Sequence, residues 1–227
     1  NSKKLGGIES LNVELFNNLK KTFQELSLKN QNKRKYLTEK WDVIISSNNA
    51  RIFNKDKNNK SILWIHNKIQ IEKSIRKKQL LSILKNDIHA VFVSKYLENV
   101  TSKIYNFKTR NVIPNFLDKK FEKIKINFNR KPLFIWSVQR DRGLDETINV
   151  WVNDIYTTNP DAEFHIFGIK KNKKFNKYKK YNIFLHGRVD KKILIRFYKK
   201  SFAMICLGFD ETFCLNAIES MSCGLPV

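Results

Sequence analysis

The sequence predicts an α/β protein of two doubly wound domains, each a parallel sheet with helices on both faces. Three observations lead there. Short apolar runs of strand length alternate with stretches of helical period along the chain. The alternation lapses once, across residues 118–131, and then restarts. Glycines or charged clusters follow the apolar runs, at the carboxyl ends of strands where sheets of this kind bind ligands.

Leu11, Leu15, Leu19 and Phe23 recur every four residues and mark an amphipathic helix. Val43–Ser46 and Ile62–Ile65 read as short buried strands, the second ending at His66, and a Lys-rich helical pattern runs on to about Leu84. Ala90–Val93 is a third strand. Ser94 is placed to cap the helix after it, because its hydroxyl can accept from a first-turn N–H. Asn111–Ile113 is a fourth strand, stopped by Pro114. The charged stretch 119–131 reads as a linker between a domain over 1–118 and one over 132–227. Beyond it, Leu133–Trp136, Phe164–Phe167, Ile183–Leu185 and Ala203–Leu207 read as strands. Helices are predicted from Glu146 to about Tyr156, from Ile193 to Tyr198, and along Leu215, Ile218 and Met221, the last stopped by Gly224 and Pro226. The chain opens without an initiator Met and closes just after that turn, so it reads as a piece incomplete at both ends.

Hydrophobic residues at 41% supply a core and argue against wholesale disorder. No apolar run approaches the ~18 residues a membrane span needs. Cys206, Cys214 and Cys223 are an odd number without metal-type spacing, which argues against a disulfide framework and fits a reducing, cytoplasmic setting. The net charge of +23 would draw polyanions, but the lysines scatter over polar positions as a compositional bias would place them. The densest run, Lys170–Lys180, is interleaved with Phe175, Tyr178 and Tyr181; it reads as a solvated face, with peripheral contact to an anionic membrane as the alternative. A nucleic-acid function would rest on charge alone and is not expected.

Two carboxylates, Glu211 and Glu219, are separated by seven residues, the first in a loop and the second about two turns into a helix. The N-terminus of that helix, near Phe213, Cys214 and Leu215, offers N–H groups and the positive end of a dipole to a diphosphate or a sugar hydroxyl. Arg140 and Arg142 follow a strand directly, where guanidinium groups can fork to phosphate oxygens. Gly6 and Gly7 precede a helix and would let backbone approach a ligand.

Glu211–Val227 resembles the E-x7-E block of the retaining glycosyltransferase family four, with its A-x-G-x-P-V turn. Further agreement is ordered along the chain: Ser137–Asp145 looks like the family's R/K-G-L loop, His165–Gly168 and Leu185–Val189 like its strand ends, Gly6–Glu9 like its G-G-x-E loop, and Ile113–Asp118 like I-P-N-G-I-D. The resemblance implies the GT-B architecture of two Rossmann-like domains facing a cleft. It implies a UDP- or GDP-sugar donor bound mainly by the second domain, a glycan or lipid-linked acceptor, no cofactor, no metal, and retention of anomeric configuration. By the same resemblance Glu211 contacts the donor sugar, Glu219 the ribose hydroxyls, and His66, as a second catalytic candidate, faces the sugar. Arg140, Arg142, Phe213, Cys214, Leu215, Gly6 and Gly7 complete the expected donor site. Phe116 and Cys214 stand where the family usually has Gly, and Asn67 where an acid is frequent. A non-catalytic sugar-nucleotide or glycan binder and a sugar-nucleotide epimerase of the same fold remain open alternatives.

Overall fold

The computed structural model describes residues 7–28, 40–53, 59–121, 124–126, 128–170, 172–208 and 211–227. It forms two compact units that divide between Phe116 and Leu117.

In the N-terminal unit, β1 (Val43–Ser47), β2 (Lys60–Ile65), β3 (Ile88–Phe92) and β4 (Thr109–Val112) pair in parallel in the order β1-β2-β3-β4. Leu63, Ile65, Ile88, Ala90 and Phe92 are fully buried, as strands covered on both faces require. Helix α1 (Gly7–Leu19) begins the unit; only Leu11 of its apolar stripe is buried, and Phe23 lies beyond the helix and is exposed. The Lys-rich pattern between β2 and β3 is two helices, α2 (Ile71–Arg76) and α3 (Gln79–Lys85), rather than one. Lys78 takes a left-handed conformation between them. The break lets α3 anchor to the segment after β1, through Gln79 Nε2 to Asn48 C=O (3.1 Å) and Ser82 Oγ to Ala50 C=O (2.6 Å). Ser94 caps α4 (Lys95–Val100) as predicted, its hydroxyl accepting from Leu97 N–H at 3.1 Å.

The C-terminal unit is built on β5 (Leu133–Trp136), β6 (Glu163–Phe167), β7 (Ile183–Gly187) and the short β8 (Ala203–Met204), all parallel, in the order β7-β6-β5-β8. The connection from β5 to β6 is α5 (Leu144–Val150), a π-helical turn over Trp151–Ile155 and α6 (Tyr156–Thr158). The π turn seats Trp151 in the core, stacked on Phe164 (ring centroids 5.0 Å apart) and donating to Tyr181 C=O at 2.8 Å. Residues Lys173–Tyr181 form 3₁₀ turns pinned by buried Phe175, with their lysines outward. Helices α7 (Lys191–Lys200) and α8 (Leu215–Ser222) complete the described elements.

The predicted linker 119–131 is corrected by this architecture: its described residues belong to the C-terminal unit. Phe121 is buried in that unit's core. Arg130 donates to the carbonyls of Tyr198, Ser201, Cys223 and Gly224, closing the carboxyl ends of α7 and α8. The segment lacks a period because it is irregular, yet it is not a solvated spacer.

Candidate active site

Strand order locates the site. In the N-terminal sheet each described strand pairs with the next in sequence, so direction never reverses. In the C-terminal sheet the chain moves outward from β5 to β6 to β7 and then returns to the far side of β5 as β8. The loops after β5 and β8 therefore leave a topological switch point, where open α/β sheets bind ligands.

The loop after β5 is held by its own polar groups. Trp136 Nε1 donates to Val138 C=O at 3.0 Å, and Ser137 Oγ shares a 2.9 Å hydrogen bond with the buried Tyr198 hydroxyl. Asn216 Nδ2, in the first turn of α8, donates to Ser137 C=O and ties that helix start to this loop. A 3₁₀ turn, Arg140–Arg142, ends at Gly143, whose φ of +99° suits glycine. Gly143 C=O then accepts from both Thr147 N–H (3.0 Å) and Thr147 Oγ1 (2.8 Å), launching α5.

Within this loop the two arginines part company. Arg142 reaches the loop after β8, its Nε 3.5 Å from Glu211 Oε1; the side chains are 18% and 21% exposed, so the pair is largely shielded from water. Arg140 instead pairs with Asp145 at 2.9 Å on the surface, its guanidinium 6.0 Å from the Phe175 ring centroid. The structure thus brings Arg142 to Glu211 and places Arg140 on another partner.

Helix α8 begins where the sequence placed it. Cys214 precedes its first residue in the left-handed conformation (φ +50°), where a side chain is strained and glycine is not. Phe213, Cys214 and Leu215 are half-buried. Cys214 Sγ lies 3.7 Å from Cys206 Sγ, and burial pushes the Cys214 thiol up to about 12. Glu219 is 1% exposed. Burial holds its carboxyl above the usual carboxylate range, and Lys191 pulls it back down. Lys191, the first residue of α7, pairs with Glu219 Oε1, while Oε2 has no hydrogen-bond partner among the described residues. Lys191, Asn216 and Ser137 were not singled out by sequence reasoning. Lys191 in particular is one lysine among many, and only the capping Asp190 before it fixes its place at the helix start.

The remaining candidates lie on the N-terminal unit. His66 follows β2 and is 4% exposed, its ring 4.5 Å from that of Trp64. Asn48 steers it: left-handed at φ +57°, it accepts through Oδ1 from His66 N–H at 2.8 Å. Burial pushes the His66 imidazole down to about 4, so it is neutral near pH 7. Gly7 is the first residue of α1, and Gly6 lies outside the described residues. A cavity of about 420 Å³ opens along β7 between Phe175, Phe184, His186 and Lys173; it shares no residue with the Arg142–Glu211 site. Among the described residues no group of three or more His, Cys, Asp and Glu could hold a metal ion, and no helix is long and apolar enough to cross a membrane.

Residues 118–227 match the family model for glycosyl transferases group 1. No curated protein sequence matches the chain significantly. Among solved structures the chain is similar to TarM, at a TM-score of 0.62 and 18% identity over 82% of this chain and 40% of that one. It is similar to the pneumococcal O-GlcNAc transferase GtfA in complex with UDP and GlcNAc, at 0.56 and 14% over 74% of this chain and 37% of that one. It is also similar to OtsA, at 0.56 and 12% over 94% and 59%. These likenesses show the GT-B fold, and the chain spans about two fifths of the length of TarM and GtfA.

Proposed function

We propose that the protein is a glycosyltransferase that moves a sugar from a UDP- or GDP-sugar to a glycan or lipid-linked acceptor, with retention of anomeric configuration. The Arg142–Glu211 pair carries this reading, because it stands at the switch point of the sheet that matches glycosyl transferases group 1. The UDP held by GtfA favours a uridine donor as the first to try.

Cleaving the bond from anomeric carbon to phosphate oxygen leaves negative charge on the diphosphate. A fixed cation and a helix N-terminus lower the cost of that charge, most in a site shielded from water. Arg142 and the start of α8 fit that task. Without donor the guanidinium is balanced by Glu211. An arriving diphosphate would take over the guanidinium and leave the Glu211 carboxylate to accept from a sugar hydroxyl. Glu219 would accept from a ribose hydroxyl. His66, neutral, would hydrogen-bond a sugar hydroxyl without competing as a cation. No cofactor is assigned beyond the donor itself. Arg140, bound to Asp145 at the surface, is assigned an outer role in attracting phosphate. The reaction belongs to the cytoplasm in this reading, with the Lys173–Tyr181 surface available to anionic lipid.

Thermal melts of the full chain against UDP-, GDP- and ADP-sugars test the donor, since a ligand bound only by the native state raises the melting temperature. Glu211→Gln should abolish sugar transfer while the nucleotide still raises the melting temperature. Absence of both nucleotide binding and transfer in the unaltered protein overturns the proposal, and nucleotide binding without transfer to any acceptor points to the non-catalytic relative.

A further inference from the structure

We infer that Lys191 is a positioning residue for Glu219: it engages one carboxylate oxygen and so reserves the other, buried and unpartnered among the described residues, as an anionic acceptor for a nucleoside hydroxyl. The inference rests on the nucleotide-sugar reading above and adds a residue that neither the E-x7-E spacing nor the arginine loop identifies.

The argument begins with where Lys191 sits. It opens α7, directly after the Asp190 cap, whose Oδ1 accepts from Lys192 N–H at 2.8 Å. A cation in a first turn opposes the helix dipole, so the local helix gains nothing from it. Its ammonium lies 5.3 Å from the centroid of the Phe121 ring on one side and pairs with Glu219 on the other. Three separate segments, around Phe121, at the start of α7 and along α8, therefore converge on one charge pair. At 1% exposed, Glu219 cannot draw on water to stabilise its charge. A buried carboxylate without a counter-charge takes up a proton instead. Asp118 adds a further push toward protonation, and Tyr198 and Cys223 are the other titratable groups close enough to couple to it. Lys191 is the one cation acting on Glu219 among these groups. A carboxylate accepts a stronger hydrogen bond from a hydroxyl than a neutral carboxyl does. Lys191 thus sets the charge of the accepting oxygen without touching the ligand.

The test is UDP binding by calorimetry from pH 6 to 9, with Lys191→Met and Lys191→Arg in the full chain. The unaltered protein and Lys191→Arg should share one pH profile, shaped by the terminal phosphate of UDP, which ionises at about pH 6. Lys191→Met should bind about tenfold more weakly at pH 7, the loss of a charge-assisted hydrogen bond, and should recover as the pH rises and Glu219 ionises. Affinity and pH profile in Lys191→Met that match the unaltered protein overturn the inference while the glycosyltransferase reading stands. If neither UDP, GDP nor ADP binds the unaltered protein, that reading fails, and the carboxyl ¹³C titration of Glu219 decides Lys191 alone: an unchanged midpoint in Lys191→Met overturns it. If Lys191→Met does not fold, the double variant with Glu219→Gln should restore folding, and failure to do so overturns the inference.

Discussion

His66 should resist protonation far into the acid range, and the acid stability of the N-terminal unit should show it. Its side chain is buried against Trp64, and that burial lowers its pKa from 6.5 to about 4. Below pH 6.5 the unfolded chain takes up a proton that the native imidazole refuses until about pH 4. The depressed pKa therefore contributes stability that is whole above pH 6.5 and is lost as pH falls through that window. A gap of about 2.5 pH units at about 1.4 kcal/mol each gives a full loss of about 3.5 kcal/mol, of which about 3 kcal/mol is reached by pH 4. Two measurements check it. In NMR, the imidazole resonance that disappears in His66→Phe should titrate below pH 5. In urea, the N-terminal unit of the unaltered protein should lose about 3 kcal/mol more between pH 7 and pH 4 than the His66→Phe protein does. A midpoint between pH 6 and 7 would refute the reasoning, because it would mean water reaches the ring. It would also change the chemistry: a histidine titrating near neutrality could serve as a general base, whereas one held neutral serves only as a hydrogen-bonding partner.

Arg130→Met removes charged hydrogen bonds to four carbonyls and should lower the stability of the C-terminal unit by about 3 kcal/mol. A urea midpoint within experimental error of the unaltered protein would show that water replaces the guanidinium at no cost. Gly224→Ala places a methyl 2.6 Å from Ile126 Cγ2 in a left-handed backbone (φ +71°), whereas Gly168→Ala meets open space at φ +80°. Both should cost about 1–2 kcal/mol for the backbone. The excess in Gly224→Ala, read from paired melting curves, should be small, because Ile126 is exposed and can swing away.

Most strands were legible because they are apolar runs stopped by a polar or turn residue, and parallel burial on both faces leaves that signature; β4, a largely exposed Thr-Arg-Asn-Val, starts two residues before the predicted Asn111–Ile113. The domain boundary was less so. Periodicity reports regular structure, and an irregular segment that packs through one ring and one guanidinium, as 119–131 does through Phe121 and Arg130, looks like a spacer. The same limit applies within the site. Glu219 has Asn216 and Ser220 beside it on α8, which reads as a solvent face, yet Lys191 and the core enclose it. Nor does spacing distinguish Arg140 from Arg142: one 3₁₀ turn sends the first to Asp145 and the second to Glu211.

What spacing alone cannot supply, topology does. Arg142 and Glu211 lie 69 positions apart in a chain of net charge +23, where any carboxylate has many lysines to choose from. They meet because β8 returns to pair with β5, setting Ile135 against Met204 and bringing both following loops to the same end of the sheet. The hydrogen bond from Ile205 N–H to Ile135 C=O (2.8 Å) carries that alignment one residue beyond the strand, toward the Glu211 loop. Asn216 closes the arrangement from the other side by bonding Ser137, so the Arg142 loop is fixed to the start of α8 as well as to β5. Backbone pairing and the Asn216 bond thereby set where the guanidinium and the carboxylate meet. Under the proposed reading, such placement ahead of the donor is what lets a charge pair answer charge that develops in a transition state.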